Sequence, residues 1–293
     1  MGVLARVKFI WISMRPRQWI KNTFLFSGLV FSKNLFQGDL FLKVSGGFVL
    51  FCLAASSIYI FNDIRDRELD RKHPEKCRRP LALGNLQVTE AYFISLLLGI
   101  IALALAPLLS LTFFGVLVAY VLLNLVYSLK LKQVVILDIM CIAFGFVLRI
   151  LAGTALAEII PSDWLIVCTM TVSLFLGFSK RRNELALKVY DAEDYRKVLT
   201  DYSIPFLDQM IAMVTACTVM SYILYTVSSE TVARFGTRNL VFTIPFVLFG
   251  IFRYLYLIYH KRRIEEPTDL ILRDISSLVN ILLWLGTVIF LIY

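Results

Sequence analysis

Asn62, Asp63, Asp66 and Asp70 stand at fixed spacing in NDIRDRELD, directly after the apolar stretch FVLFCLAASSIYIF. On a helix turning about 100° per residue, the three aspartates fall within about 60° of one another, and Asn62 lies one turn before Asp66. Hard carboxylate and amide oxygens on one face suit Mg2+, which typically holds phosphates through one or two carboxylates and several waters. The plainer reading is a solvated helix end laced with i,i+3 and i,i+4 ion pairs. Three acids at a membrane boundary, where unpaired burial is costly, keep both readings open.

Other polar residues punctuate the ends of apolar runs. Arg15 and Lys21 bracket Trp19, with Asn22 beside Lys21. Interfacial anchoring accounts for such a set, and Arg15 and Arg17 are expected to be anchors. Lys21 is the candidate for a point charge on a phosphate. Tyr127 and Lys130 are three residues apart and share a face if helical, so a phenol and an ammonium could together hold ribose or phosphate oxygens. Asp138 and Arg149 are eleven apart, only about 20° around a helix but about 16 Å along it. Arg149 therefore lies at membrane depth, where it needs a polar cavity, a partner or backbone carbonyls. Lys180, Arg181, Arg182, Asn183 and Glu184 close another apolar run. They read either as a basic loop or as an anion site.

The elements that position these residues are membrane helices. The chain has 293 residues, 59% hydrophobic and only 17% charged, where a soluble protein carries about 25% charged. Mean hydropathy is +0.76. At roughly 20 residues per span, about nine spans would use roughly 180 residues. This excludes a disordered chain, a single-anchor protein and a soluble α/β enzyme; the unbroken apolar runs argue against an outer-membrane barrel. Spans are expected at 20–36, 41–62, 90–107, 111–127, 134–157, 163–180, 204–229, 240–259 and 271–292. The stretch 3–14 is too short to cross and is expected at the interface. The fold class is thus an all-α polytopic membrane protein, one integral domain over 1–293. An interfacial segment covers 1–19, and polar loops lie near 62–80, 128–138 and 180–200.

Charge sets the expected orientation. Of 30 Lys and Arg, 25 fall in 6–21, 63–80, 128–133, 180–197 and 253–273, while Lys33, Lys43, Arg234 and Arg238 mark the opposite side. The basic side is expected to be cytoplasmic, in an inner membrane, with the polar site facing the cytoplasm. The net charge of +9 then describes a membrane topology, and nucleic acid is not an expected partner. Five cysteines without a CxxC pair argue against disulfides or zinc. His73 and His260 are too isolated for a histidine-based metal or nucleophile.

NDIRDRELD matches the NDxxDxxxD motif of the UbiA superfamily of intramembrane prenyltransferases, and RRPLALG resembles that family's RPL-containing loop. RPRQWIKN at 15–22, YSLKLKQVVILD at 127–138, GFVLRILAG at 145–153 and GFSKRRNEL at 177–185 resemble its decaprenyl-phosphate phosphoribosyltransferase branch. The resemblance covers residues 15 to about 190. It implies helices around a central cavity open to the cytoplasm and laterally to lipid. It further implies Mg2+-dependent transfer of phosphoribose from phosphoribosyl pyrophosphate to a polyprenyl phosphate. Asp63, Asp66 and Asp70 would be catalytic and, with Asn62, hold the metal. Lys21, Arg79, Lys130, Lys180 and Arg181 would clamp phosphates, and Asn22, Tyr127, Asp138, Arg149 and Glu184 would line the substrate site. Where typical members carry a second aspartate-rich motif, this sequence has three cations and Glu184. That departure suits an extra anion such as the donor's 5-phosphate. Prenylation of an aromatic acceptor from a prenyl diphosphate is the enzymatic alternative, and a lipid-phosphate or anion transporter the non-enzymatic one. A homo-oligomer is left open.

Overall fold

The computed structural model describes residues 3–72, 76–186, 197–260 and 267–293. His73 and parts of the expected polar loops, 73–75 and 187–196, lie outside the described residues. Every regular element among them is helical. Fourteen α-helices are described, with 3-10 turns between them: α1 (Val3–Met14), α2 (Ser27–Val30), α3 (Gly38–Arg65), α4 (Arg67–Lys72), α5 (Val88–Leu109), α6 (Leu111–Leu129), α7 (Leu137–Ala157), α8 (Asp163–Ala186), α9 (Lys197–Thr200), α10 (Ile204–Val227), α11 (Ser229–Phe235), α12 (Ile244–His260), α13 (Pro267–Arg273) and α14 (Ile275–Ile292). Among the described residues, eight helices are long and apolar enough to cross a membrane, and they match the second to ninth expected spans.

The first expected span, 20–36, is different. Residues Pro16–Phe26 form a 3-10 helix of 11 residues, followed by the four residues of α2. Runs of 3-10 beyond three or four residues are uncommon. Pro16 starts the run, and Arg15 before it adopts the left-handed conformation (φ 53°). Close packing on α7 accompanies the narrow helix: a methyl group at Gly153 would overlap the Leu25 carbonyl. At about 2.0 Å rise per 3-10 residue and about 1.5 Å per α residue, the segment reaches roughly 28 Å. That is comparable with the bilayer's hydrocarbon thickness of about 30 Å, although the segment is not among the eight helices long and apolar enough to cross.

The helices group into two compact units, one holding α1 to α6 and most of α7, the other α8 to α14. In the first, Leu25, Leu29, Phe51, Ala54, Phe113, Leu117, Ala152 and Leu156 form a shared core. The α1 helix is pinned to α3 by Ser56 Oγ, which donates to the Met14 carbonyl (2.9 Å), while Trp19 Nε1 donates to Ser56 Oγ (3.0 Å). Its Leu4, Val7, Trp11 and Ile12 are exposed, as an interfacial helix requires.

In the second unit α14 starts at an N-cap, Asp274, which accepts from Ser277 N (3.0 Å) and ties α12 through a two-pronged pair with Arg253 (3.0 and 2.8 Å). Trp284 Nε1 donates to Tyr222 Oη (2.8 Å), which also shares a hydrogen bond with Thr243 (2.7 Å). Buried polar groups of α10, α14 and the 3-10 turn Asn239–Thr243 thus satisfy one another, as a low-dielectric interior demands.

Candidate active site

The acidic motif lies where α3 bends into α4. Asp66 caps α3 with φ −93° and ψ 6°, yet the helical ladder continues through it. Asp66 N donates to the Asn62 carbonyl (2.9 Å) and Asp70 N to the Asp66 carbonyl (2.7 Å). The three aspartates are therefore presented to one another's neighbours and all are buried: Asp63 is 2%, Asp66 8% and Asp70 4% exposed.

Burial of three carboxylates needs compensation, and the chain supplies it with cations. Arg79 Nη1 donates to Asp63 Oδ1 (3.0 Å) and to Asp70 Oδ2 (2.5 Å). Arg15 also pairs with Asp63 Oδ1. Lys132 Nζ meets Asp66 Oδ1 at 2.5 Å, and Asp66 Oδ2 accepts from Asn62 Nδ2 (3.0 Å). Burial pushes the Asp70 carboxyl above its usual range; Arg79 pulls it back and Asp63 pushes it up again.

Local folding explains these placements. Arg79 sits in the turn Arg78–Gly84, held to α4 by Arg67 Nε on the Leu81 carbonyl and Arg71 Nε on the Ala82 carbonyl, each 3.2 Å. Leu81 is buried with Ile60, Ile64, Leu86 and Ala91, so an apolar anchor sets the guanidinium's height. Lys132 lies in the 3-10 turn Leu131–Gln133 after α6 ends at Leu129. Beyond it, Ile136 has φ 70°, a strained setting for a β-branched residue.

The structure joins Asp63 to Asp70 through Arg79 and Asn62 to Asp66 along the same stretch of chain, and adds to these two sets the cations Arg15 and Lys132, which sequence reasoning passed over. Arg15, expected as a membrane anchor, instead holds Asp63. A cation beside a membrane boundary reads as an anchor whichever way it turns, and its partner is 48 residues away. Lys132 meets the carboxylates while Lys130 is exposed; α6 ends before either lysine, so the helical face shared with Tyr127 does not continue. Lys21 and Tyr127 are half-buried and join neither hydrogen-bonded group. Asp138 is fully buried at the start of α7.

Arg149 and Asn22 form a second group in the same unit. Arg149 Nε donates to Asn22 Oδ1 (2.9 Å), Nη1 to the Gly145 carbonyl (2.8 Å) and Nη2 to Tyr120 Oη (2.9 Å). Its guanidinium also lies 4.9 Å from the Tyr120 ring centroid and 5.0 Å from that of Phe146. Asn22 Nδ2 in turn donates to Cys52 Sγ (3.2 Å). A buried charge is thus satisfied by neutral acceptors and ring faces.

Lys180, Arg181 and Glu184 belong to the second unit. Arg181 Nη1 donates to Glu184 Oε2 (2.6 Å), with Lys180 Nζ 3.9 Å from Glu184 Oε1. Next to them, Arg182 Nε donates to Asp208 (3.1 Å) and lies over the Tyr259 ring.

Residues 23–278 match the model of the UbiA prenyltransferase family. The chain belongs to that family. Decaprenyl-phosphate phosphoribosyltransferase of Mycolicibacterium smegmatis is 33% identical over 291 residues, covering 94% of this chain and 90% of that protein. The protein of the same name from Mycobacterium tuberculosis is 32% identical over 280 residues, covering 94% and 91%. Among solved structures, a UbiA homolog from Archaeoglobus fulgidus bound to GPP and Mg2+ is similar with a TM-score of 0.74 over 97% of this chain and 99% of that one, at 17% identity. That likeness shows the UbiA fold in this all-helical integral membrane protein.

The donor set fits Mg2+ in kind. Asp63, Asp66, Asp70 and Asn62 offer hard oxygens, and Mg2+ keeps waters and takes phosphate oxygens rather than needing an all-protein cage. No three acid, imidazole or thiol groups among the described residues converge into a ready cation cage. The carboxylates are turned toward Arg15, Arg79 and Lys132.

Proposed function

We propose that this UbiA-family enzyme transfers 5-phosphoribose from phosphoribosyl pyrophosphate to a polyprenyl phosphate. The new bond joins a lipid phosphate oxygen to ribose C1, and the bond from C1 to pyrophosphate breaks. The observation that carries this reading is the identity with two decaprenyl-phosphate phosphoribosyltransferases along 94% of the chain.

The acceptor phosphate is already ionised near neutral pH and needs no general base. Catalysis then rests on holding the two substrates in line and on stabilising charge that gathers on the leaving pyrophosphate. Asp63, Asp66 and Asp70 with Asn62 would hold Mg2+, which would supply much of that neutralisation. Arg79 and Lys132 provide further donors beside it, with Lys21 and Lys130 as more distant phosphate contacts. Asn22, Tyr127, Asp138 and Arg149 shape the polar substrate site. Lys180 and Arg181, steadied by Glu184, take the donor's 5-phosphate. The distribution of basic segments supports a cytoplasmic position for the polar site, in an inner membrane, where a soluble sugar phosphate and a membrane lipid can meet.

The test is direct. Purified protein is given Mg2+, phosphoribosyl pyrophosphate and a polyprenyl monophosphate, and the lipid product is identified by mass. A gain of one phosphoribosyl group is expected. Consumption of a prenyl diphosphate with an aromatic acceptor instead would establish the other chemistry of the family. Against that alternative stands the 180–184 segment, which offers Lys180, Arg181 and Arg182 with a single acid, Glu184, where typical members carry a second aspartate-rich motif.

A further inference from the structure

We propose that Arg15, Arg79 and Lys132 are exchangeable counter-ions that occupy the carboxylates in the resting site and move onto phosphate oxygens when a divalent cation and pyrophosphate bind together. This rests on the reading of the cluster as the pyrophosphate end of the donor site, and it adds how that end is loaded.

The charges set the argument. Three buried carboxylates, Asp63, Asp66 and Asp70, are paired with Arg15, Arg79 and Lys132, and Lys76 adds positive charge near Asp70, so the resting carboxylates are already compensated by side-chain cations. A divalent cation entering alone must displace a charge-assisted hydrogen bond such as Lys132–Asp66 and leave two surplus positive charges in a poorly hydrated place. Pyrophosphate entering alone finds the cations already committed to carboxylates. Entering together, the metal satisfies the carboxylates while the freed cations meet the phosphate oxygens. Each ligand thereby favours the other, and by linkage the factor is the same read from either side.

The contacts are suited to exchange. Lys132 is a single ammonium on a flexible stem, able to swing from Asp66 without breaking a rigid fork. Arg79 meets both its carboxylates through one nitrogen, Nη1, which leaves its other donors to turn toward a new anion. Arg15 is about a quarter exposed at its side chain, so it borders the cluster rather than being sealed inside it.

The consequence is a pair of shifts with opposite signs. In full-length purified Lys132→Met protein, Mn2+ alone, followed by the resonance of free Mn2+, is expected to bind about tenfold more tightly than in wild type. Pyrophosphate in saturating Mn2+, followed by calorimetry, is expected to bind about tenfold more weakly. The enhancement of each ligand by the other should shrink accordingly. Arg15→Asn provides a second variant, because asparagine tolerates the left-handed backbone at that position while removing the charge. The same opposed pair is expected there.

Both affinities falling together, or neither changing, in a folded variant would overturn the exchange while leaving the donor site in place. Wild-type protein that binds no pyrophosphate even in saturating Mn2+, and in which pyrophosphate fails to compete with phosphoribosyl pyrophosphate, would overturn the donor-site reading and the exchange with it.

Discussion

Arg79 reaches Asp63 at 3.0 Å and Asp70 at 2.5 Å through the same nitrogen, joining two carboxylates that lie on either side of the bend at Asp66. One guanidinium thus fixes the angle between α3 and α4 at the point where the acidic motif must be assembled. Leu81, buried under Ile60 and Ile64, keeps that guanidinium at the right depth. An apolar contact in the loop therefore serves an electrostatic task.

Arg79→Lys tests that bridge. An ammonium keeps the charge but ends one bond short of Nη1, so one of the two charge-assisted bonds is lost, worth about 1.5–3 kcal/mol. Transfer to lipid is expected to fall roughly ten- to a hundredfold, with Arg79→Ala lower still. Equal rates for wild type and Arg79→Lys in a product assay by mass would show that the bridge is not needed.

Lys180→Ala and Arg181→Ala bear on the sugar end of the donor. Each is expected to weaken phosphoribosyl pyrophosphate by about 1.5–3 kcal/mol, or roughly ten- to a hundredfold. Saturation by the lipid should change little, and inhibition by pyrophosphate alone should be unaffected. Kinetics with each ligand varied in turn separate these outcomes; a uniform loss for every ligand points to a structural role.

Asn22 and Arg149 are expected to be coupled. Asn22→Leu removes the acceptor at 2.9 Å from Arg149 Nε and leaves a donor of a buried charge unmet, at about 1.5–3 kcal/mol. In Arg149→Met the same change at residue 22 should cost much less. Thermal unfolding of the four proteins in one detergent gives the coupling energy, and additive effects would contradict the hydrogen bond's importance.

Gly153 and Gly115 should respond oppositely to alanine. At Gly153 the added methyl meets the Leu25 backbone, whereas at Gly115 nothing lies within 4 Å. Gly153→Ala is expected to destabilise by at least about 1–3 kcal/mol. Gly115→Ala should gain up to about 0.5–1 kcal/mol from helix propensity. Melting temperatures that rise in both would disprove the close approach of the 3-10 segment to α7.

Asp274 gives the pH dependence. Hydrogen bonds from Arg253 hold its carboxyl below the usual range against the opposing effect of burial, and Ser277 adds to the lowering. A depressed folded-state pKa means the contribution is complete above the unfolded value of about 3.9 and is lost as pH falls through the folded value. Asp274→Asn should therefore melt below wild type at pH 7, and the gap should narrow as pH drops below about 4. A gap that stays constant with pH would remove the charge from the explanation.

Eight helices were legible because an apolar run of twenty residues has few other ways to satisfy its backbone in lipid. The 3-10 course of Pro16–Phe26 was not, because apolar content is blind to helix pitch; Pro16 at its start and Gly153, against which Leu25 packs, are signs that mean little until the two segments are seen together. Within the site, NDIRDRELD fixed which oxygens gather, since i, i+3 and i+7 stay together even across the bend at Asp66. The cations were harder. Lys130 and Lys132 differ only by which side of a helix end they fall on, and that end is set by tertiary packing. Arg15 and Arg149 show the same ambiguity: one looked like an anchor and meets a carboxylate, while the other, open between a substrate-site residue and one bonded to backbone carbonyls, meets a carbonyl, an amide and a phenol.

That enclosure bears on how the protein is made. Asn22 and Tyr120 leave the ribosome before Arg149, so both acceptors are synthesised by the time α7 enters the bilayer. An arginine at the centre of an isolated helix raises the cost of membrane insertion by about 2.5–3.5 kcal/mol on translocon scales. Here the incoming guanidinium has a carbonyl one turn back on its own helix and a prepared amide and phenol on earlier ones. Moving α7 ahead of α6 by circular permutation would reverse that order and leave the nascent arginine waiting in lipid for its phenol.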